Sequence, residues 1–351
     1  MDGTTGAARA AGLLAGYALD VALGDPQRHH PVALFGTAAR QLEQRVHADS
    51  RVAGLGFTAV LVGGTAIGAV LAQRTLGAAA GRVAGRDAAR CAAEFAAVTA
   101  ATFTALGGTS LVREGDAMAR LLESDDLPGA RQRLSHLCAR DASDLTPDDL
   151  ARATVESLAE NTSDAVVAPL VWGSLLGAPG LLGYRAANTL DAMVGYKSPR
   201  YLNFGWASAR FDDLLNLLPA RLAALLVFVV TGRREALTTW RRDARLHPSP
   251  NAGPVEAATA GALGVRLGGT NTYDGEAESR GVLGDGRAVE VSDVARANRL
   301  SRQVSAAAVL VAAGTAFALG RRARPSAGLP PSLASRTSKL AGRSLGRHAR
   351  E

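Results

Sequence analysis

Residues 52–71, VAGLGFTAVLVGGTAIGAVL, contain no charged side chain and are rich in glycine, alanine and valine. As a helix they would span about 30 Å, which is the thickness of the hydrocarbon core of a bilayer. Three more charge-free runs of 18–20 residues lie at 95–112, 165–184 and 303–320. Two weaker candidates, with one charge each, lie at 10–24 and 214–232. Four strong runs in one chain favour a bundle of membrane helices over a large soluble protein that buries the same helices in its core.

Three polar stretches separate these runs, at 113–164, 185–213 and 233–302. Helix-start and turn signals, such as Thr146-Pro147 and the turn at 125–129, predict that these stretches fold as helices. Sustained alternation of apolar and polar residues is absent, and only 282–291, around Gly284-Asp285-Gly286, suggests a short hairpin. We therefore predict an all-α fold: a polytopic membrane helical protein with folded polar helical loops and little or no β-structure.

The net charge of +7 comes from one end of the chain. Residues 321–351 hold eight Lys/Arg side chains and one acid, so the charges of residues 1–320 balance. This Pro/Ser/Gly/Arg-rich segment has too few apolar residues to build a core. We predict a basic disordered tail at 321–351 and a membrane-embedded catalytic domain at 1–320. Because the charge of that domain is balanced, nucleic acid is not expected as a partner.

Two common kinds of site are excluded by pattern. Cys91 and Cys138 lie far apart and predict neither a zinc site nor a disulfide framework. The pattern G-x-x-x-x-G-K-[ST] does not occur, so any ATP must bind without a P-loop.

The stretch ESLAENTSD at 156–164 is the most informative polar segment. Glu156, Glu160 and Asp164 are four residues apart, so on a helix their carboxylates lie on one face. Like charges at this spacing repel one another, and they lie directly before the apolar run at 165–184. Magnesium, which binds carboxylates and bridges to phosphate, would neutralise them. The alternative is a solvated helix face that ends at a cap formed by Asn161 or Asp164.

A second acidic cluster precedes the run at 214–232. Asp212, Asp213 and Asn216 lie within about one helical turn. Arg210 and Arg221 flank them and could bind a phosphate or carboxylate through two parallel hydrogen bonds. Together with the first cluster, this arrangement suggests two groups of side chains that face a metal ion or a phosphate.

Two further polar patches are less specific. Asn188 and Asp191 form a third acid–amide pair near the second cluster. Asp25, in Gly-Asp-Pro, is followed by a histidine pair that ends at His30. That patch is either a turn or a ligand-bearing loop, and it has no third ligand for zinc.

The stretch HPSPNAG at 247–253 leads into an Ala-rich segment that is predicted as a helix. Ser249 or Asn251 can cap this helix, and the free N–H groups of a helix start attract anions. We predict that the stretch from His247 binds a phosphate. A simple capped helix start, without a ligand, is the alternative.

Together these stretches resemble the adenosylcobinamide-phosphate synthase family, CobD/CbiB. The resemblance rests on LD and GDP at 19–26 with HPV at 30–32, ESLAENTSD at 156–164 with APL at 168–170, YRAANTLDAMVGY at 184–196, and HPSPNAG at 247–253 with AGALGV at 260–265. It runs in order over roughly residues 10–320 and leaves out the tail.

The resemblance implies an amide-forming ligase of cobalamin biosynthesis. Such an enzyme uses ATP and magnesium to activate the free propionate of adenosylcobyric acid. The amine of aminopropanol phosphate, or of aminopropanol itself, then attacks. Two alternatives remain: an intramembrane magnesium-dependent prenyltransferase, and a corrinoid transporter or scaffold without catalysis.

Residue roles under this interpretation fall into two groups. The candidate catalytic residues are Glu156, Glu160, Asn161, Asp164, Asp191, Asp212 and Asp213. Of these, Glu160, Asp164, Asp212 and Asp213 are the candidate magnesium ligands. The candidate residues for binding ATP and substrates are Asp25, His30, Asn188, Arg210, Asn216, Arg221, His247, Ser249 and Asn251.

The expected location is the plasma membrane, with several crossings, lipid contacts and other membrane enzymes of cobalamin assembly as neighbours. Because ATP is cytoplasmic, the acidic loops should face the cytoplasm. The arginine-rich segment at 233–245 and the basic tail should both lie there too, by the positive-inside rule. A single crossing at 303–320 would separate them, so that run or another must be re-entrant or lie within the protein.

Overall fold

The computed structural model describes residues 3–25, 30–82, 85–273 and 276–322, and within 270–279 it describes the backbone alone. The helices in this part of the chain are α1 Gly3–Leu23, α2 Pro31–Val46, α3 Arg51–Ala80, α4 Arg86–Ala105, α5 Gly108–Glu123, α6 Leu127–Leu134, α7 Pro147–Thr162, α8 Ala168–Leu176, α9 Ala178–Val194, α10 Trp206–Thr231, α11 Arg234–Asp243, α12 Ala252–Leu263 and α13 Ser292–Arg322. A π-helix, Ser163–Val167, joins α7 to α8, and a 3-10 turn, Ala244–Leu246, follows α11. Strands β1 Leu267–Tyr273 and β2 Glu276–Leu283 pair antiparallel. The prediction of an all-α membrane fold is confirmed.

Four helical segments in the described part are long and apolar enough to cross a membrane. They are Arg51–Ala80, Arg86–Glu123, Trp206–Thr231 and Ser292–Arg322. The second contains a break, because α4 ends at Ala105 and α5 begins at Gly108. Only 17% of the apolar stretch of α3 is buried in the protein, against 39–44% in the other three. Helix α3 is therefore the one that offers most of its surface to lipid.

The predicted membrane helix at 165–184 is wrong. Helix α8 ends at Leu176, and Gly177 adopts φ +70° and ψ −148°, which a residue with a side chain rarely adopts. Arg9 of α1 holds this break: its Nη1 donates to the carbonyl of Leu175 at 2.8 Å, and its Nε pairs with Glu94 at 2.7 Å. The break at Gly177 lies before both basic segments, so it does not bring them to one side; the run at 303–320 between them remains a candidate span.

Helix α12 lies at the centre of the fold, with every one of its residues buried. Around it, alanine is the commonest residue of the main apolar core, and small residues let helices approach closely. Gly16 of α1 is an example, since a Cβ there would lie 2.4 Å from Cβ of Thr102 on α4. The burial of α12 fixes the loop before it, from His247 to Asn251, in a defined position.

The polar segment at 113–164 folds as predicted. Asp126 caps α6 by accepting a hydrogen bond from Gly129 N at 3.0 Å. Thr146 and Asp149 form a reciprocal capping box at the start of α7. These local signals set the start of the helix that carries the acidic row.

The hairpin prediction at 282–291 is wrong in position. The two strands end and begin on either side of residues 274–275, and β2 ends at Leu283. Gly284, with φ +87°, instead turns the chain back so that Arg287 bridges to Val265. The true strands were missed because they contain several glycines and polar residues and lack period-two apolar alternation. The predicted basic tail lies, from residue 323 onward, outside the described residues.

Candidate active-site cavity

A polar cavity of about 480 Å³ lies where the end of α9, the start of α10 and the loop before α12 meet. Five of the predicted site residues line it: Glu160, Arg210, Asp213, His247 and Ser249. Three cationic side chains that the sequence analysis did not select also line it: Arg51, Lys197 and Arg280. The cavity therefore combines two carboxylates with four permanent cations from distant parts of the chain.

Glu160 and Asp164 reach this region from one helical element. Glu160 lies in the last turn of α7, and Asp164 lies within the π-helix that follows. A π-helix inserts one residue per turn, which redirects the side chains after it and is frequent at functional sites. Here it brings Asp164 close enough to Asp212 and Asp191 for their charges to act on it.

Helices α9 and α10 bring the second and third clusters together through a hydrogen-bond network. Asp212 accepts from Asn216 Nδ2 at 2.9 Å and from Asn188 Nδ2 at 3.4 Å. Tyr184 OH donates to Asn216 Oδ1 at 2.8 Å, so the amide is fixed in turn. Asn188 and Asn216 therefore orient the Asp212 carboxylate, and the sequence grouping of these acid–amide pairs corresponds to a contact in space.

Burial and mutual repulsion keep these acids from ionising easily. Burial raises the pKa of Asp164 well above its usual range, and the charges of Asp212 and Glu160 raise it further. Burial raises the pKa of Asp191 to about 6, with Asp213 and Glu160 adding to the effect. Burial also raises the pKa of Glu160, although Arg280 opposes the shift. Such a cluster favours a bound cation, because a cation restores the ionised form of each carboxylate.

The carboxylates of this cavity can hold magnesium only together with oxygens that a bound nucleotide and water supply. Within the described residues, no group of three or more His, Cys, Asp or Glu side chains has the geometry to hold a metal ion. Glu160 and Asp213 do line the same cavity. Magnesium commonly uses one or two carboxylates, keeps several waters and takes phosphate oxygens for the rest. These two residues therefore fit a magnesium ion that arrives with a nucleotide.

The cavity cations are arranged to receive an anion. Arg210 Nη1 lies 3.6 Å from Asp213 Oδ2, a loose ion pair on an exposed side chain that a ligand can displace. Arg51 packs over the ring of Trp206 at 5.3 Å, which fixes its position at the edge of the cavity. Lys197 follows the end of α9 and acts on Asp213 through its charge. These groups surround one space and match a polyphosphate.

Glu156 has a different place from the other acids. Its carboxylate accepts from Arg140 Nη2 at 2.6 Å and from Gly268 N at 2.8 Å, and the side chain is buried. It thereby attaches the start of β1 to α7. Asn161 donates to the carbonyls of Ser157 and Leu137, at 2.8 and 3.3 Å. Both residues support the helix that presents Glu160.

The loop before α12 offers side chains to the cavity, and its backbone N–H groups are not free to bind a ligand. Ser249 caps the helix: its Oγ accepts from Asn251 N and Ala252 N, at 3.3 and 3.2 Å. Its carbonyl accepts from Gly253 N at 3.4 Å, and Pro254 has no N–H group. The predicted anion site at the helix start therefore lacks its donors, because the loop itself takes them.

Asn251 occupies the N-cap position of α12, but its side chain makes no capping hydrogen bond and instead connects the loop to α10. Its Nδ2 donates to the carbonyl of Asp213 at 2.9 Å, and its Oδ1 accepts from Arg221 Nη1 at 3.2 Å. Asn251 and Arg221 thus lie behind the cavity and hold the backbone of Asp213. The position of one candidate metal ligand depends on both.

Glu256 was not selected from the sequence. Its side chain is buried, and neither carboxylate oxygen has a hydrogen-bond partner among the described residues. His247 Nε2 lies 3.7 Å from its Oε1. Burial raises the pKa of Glu256 well above its usual range, and the charges of Glu156 and Glu160 add to this. The sequence did contain a signal for this residue: Glu256 lies in the middle of an Ala-rich helix, which is buried. Burial of an acid there is costly unless the acid has a role.

Asp25 and His30 are not brought to this cavity. His30 caps α2, with its Nδ1 accepting from Val32 N at 3.2 Å. Its Nε2 lies 3.7 Å from Asp25 Oδ1. Neither residue lines the polar cavity. The geometry of the cavity therefore gives no support to the prediction that Asp25 and His30 bind ATP or a substrate there.

Comparison with known proteins gives the same assignment along most of the chain. The family model described as CobD/Cbib protein matches residues 13–301. The chain belongs to this family. The CobD/Cbib match covers α1 through the middle of α13 and includes every lining residue of the polar cavity.

Two similar proteins carry the same name. A protein named cobalamin biosynthesis protein CobD from Mycobacterium tuberculosis H37Rv is 52% identical over 317 residues, which is 89% of this chain and 97% of the relative. A protein of the same name from Chromobacterium violaceum is 43% identical over 282 residues, 80% of this chain and 88% of the relative. No solved structure matches the chain.

Proposed function

We propose that this CobD/Cbib protein is a cobalamin-biosynthesis ligase. It would join the propionate carboxylate of adenosylcobyric acid to the amine of aminopropanol phosphate, or of aminopropanol, at the expense of ATP. The relatives' shared name supports the pathway. The observation that carries the chemistry is the polar cavity, where Arg51, Lys197, Arg210 and Arg280 surround Glu160 and Asp213.

The cations are suited to the nucleotide phosphates. Arginine offers two parallel N–H donors to a phosphate, and lysine offers a point charge. Four cations around about 480 Å³ provide enough positive charge to offset a triphosphate without a P-loop. Magnesium bound with the nucleotide would neutralise charge that develops during activation of the carboxylate. Glu160 and Asp213 would hold it, with water and phosphate oxygens completing the coordination.

The raised pKa of Glu160 suits a second task in the same place. Amide formation makes one C–N bond and expels the activating phosphate group from the carboxyl carbon. The attacking amine also loses a proton. A carboxylate whose pKa is raised by burial is a better proton acceptor than an ordinary one, so Glu160 can take that proton when it is not bound to the magnesium ion.

The remaining acids would set the geometry. Asp164, Asp191 and Asp212 lie behind Glu160 and Asp213 and repel them, which keeps the cavity attractive to cations. Asn188 and Asn216 fix Asp212. Asn251, which accepts a hydrogen bond from Arg221, fixes the backbone of Asp213.

The direct test is a reaction with the purified full-length protein in detergent. Adenosylcobyric acid, ATP, magnesium and aminopropanol phosphate are supplied, and mass spectrometry follows the amide product and the spent nucleotide together. Equal amounts of both are expected, and none with EDTA. A protein that binds the corrinoid but forms no amide with either acceptor would be a carrier or scaffold. Transfer of a polyprenyl diphosphate would instead make it a prenyltransferase.

We further propose that the cavity faces the cytoplasm at the plasma membrane, because ATP is there. The basic residues of α11, which precedes the loop that lines the cavity, support this side by the positive-inside rule. A Ser198→Cys variant, with Cys91 and Cys138 replaced by Ala, places a single thiol beside the cavity. In right-side-out spheroplasts it should resist a membrane-impermeant maleimide until the cells are opened, and labelling of intact spheroplasts would reverse the topology.

A further inference from the structure

A second cavity, of about 400 Å³, lies among helices α2, α3, α4 and α9. Its lining is apolar except for a few threonines and one charged residue, Arg185. On α3 the lining positions run from Thr65 to Leu76, which is about 16 Å of helix at 1.5 Å per residue. The cavity is therefore an elongated groove along the helices, and none of its lining residues lines the polar cavity.

The two ends of this groove differ in polarity. Helices α3 and α9 run antiparallel, since Gly54 lies against Phe204, which follows α9, while Ala66 lies against Gly183 further back along it. Thr65 therefore lies near the Arg185 end of the groove, and Leu76 lies toward the start of α9. Leu76 is 49% exposed on the outer surface of α3, the helix with the least protein cover. One end is thus polar and enclosed, and the other is apolar and opens toward lipid.

Arg185 lacks a partner at the enclosed end. Its Nε is buried and has no hydrogen bond among the described residues. No ion pair within 4.0 Å is found for its guanidinium in the described part of the chain, although the charges of Asp25 and Asp164 reach it from farther away. Arginine does not lose its proton in proteins, so the charge persists. A partly buried guanidinium that has no close carboxylate, and whose Nε makes no hydrogen bond, is costly unless an anion joins it.

We propose that this groove binds one fatty-acid anion, with its carboxylate on Arg185 and its chain along α3 to Leu76. A carboxylate matches the guanidinium through two parallel hydrogen bonds. A single chain matches a groove of about 400 Å³ that is lined by alanine and leucine. The ligand enters from the bilayer through the open end beside Leu76.

The test measures binding of a fluorescent fatty acid, cis-parinaric acid, and of its methyl ester. The full-length protein is held in nanodiscs of phosphatidylcholine, and fluorescence is titrated for both probes. Saturable binding of the acid with one site per chain is expected, at least 10-fold tighter than binding of the ester. Arg185→Gln should remove this preference and leave the two probes alike. Arg302→Gln, a surface change on α13, is the matched control and should keep the wild-type preference.

Three results would overturn the proposal, the last of them from a variant in the groove itself. One is that the wild type binds the acid and the ester with equal affinity. This measurement needs no variant, so it remains decisive if Arg185→Gln fails to fold. Another is an Arg185→Gln protein of normal thermal stability that still prefers the acid 10-fold. Ala100→Phe places a ring in the open part of the groove, and unchanged saturable binding there would place the probe elsewhere. Since the readout is binding alone, none of these results depends on the proposed ligase reaction.

Discussion

Replacement of Glu156 by Ala should unfold the protein more easily rather than disable its chemistry directly. Its side chain and that of Arg140 are 4% and 3% exposed and are paired at 2.6 Å. Removal of one partner of such a buried pair typically costs about 3–5 kcal/mol. At about 2 °C per kcal/mol for a large chain, Tm should fall by about 6–10 °C. Scanning fluorimetry in detergent measures this shift.

A double-mutant cycle separates the ion pair from other effects. Arg140→Ala with Glu156→Ala removes both charges, so the double variant should lose less stability than the sum of the single losses. Glu290→Ala is the matched control, because this acid is 60% exposed and pairs loosely with Arg287, and its Tm should not change measurably. A Glu156→Ala protein that keeps the wild-type Tm but has no turnover would refute the structural role of Glu156. It would show that Glu156 is a catalytic residue.

Four further outcomes follow from the site. Glu160→Ala and Asp213→Ala should each lower kcat by about 100-fold with little change in Tm; normal turnover in both would remove these residues from the site. Because burial raises the pKa of Asp191 from 3.8 to about 6, ionisation of this group destabilises the fold as pH rises from about 4 to about 6. Asp191→Asn should abolish that part of the fall in Tm, and an unchanged pH profile would contradict the assignment. Asn251→Ala should raise KM for Mg–ATP, because the hydrogen bond from Asn251 to the backbone of Asp213 is lost. A loss of stability with unchanged kinetic constants would show that Asn251 acts only in packing. Deletion of residues 321–351 should leave kcat within about twofold, and a folded but inactive truncation would show that the tail takes part.

Local patterns were sufficient for much of the architecture. Apolar length indicated the membrane helices at 52–71 and 303–320, which are free of charge, and the weaker candidate at 214–232, because crossing hydrocarbon imposes a length and a composition on a helix. Capping signals placed the start of α7, because they act within one turn of the backbone. The stretch ESLAENTSD and its companions were enough to assign the family, since their order and spacing are properties of the sequence itself.

Other features depended on contacts between distant residues. The break at Gly177 depends on Arg9, more than 160 positions earlier in the chain, and no local pattern shows such a partner. Glu156, Glu160 and Asp164 look equivalent by spacing. The fold makes them different: Arg140 and Gly268 take Glu156, Glu160 lines the cavity, and the π-helix turns Asp164 toward α10.

The sequence by itself determined the all-α membrane fold and the family. Periodicity, capping and motif order are short-range properties, and they can be counted along one chain. The tertiary structure decided which acids share a cavity with Arg51, Lys197 and Arg280, and that the helix start after His247 has no free donors. The physical reason is that desolvation, ion pairing and hydrogen-bond satisfaction depend on distances across the fold, which spacing along the chain does not specify.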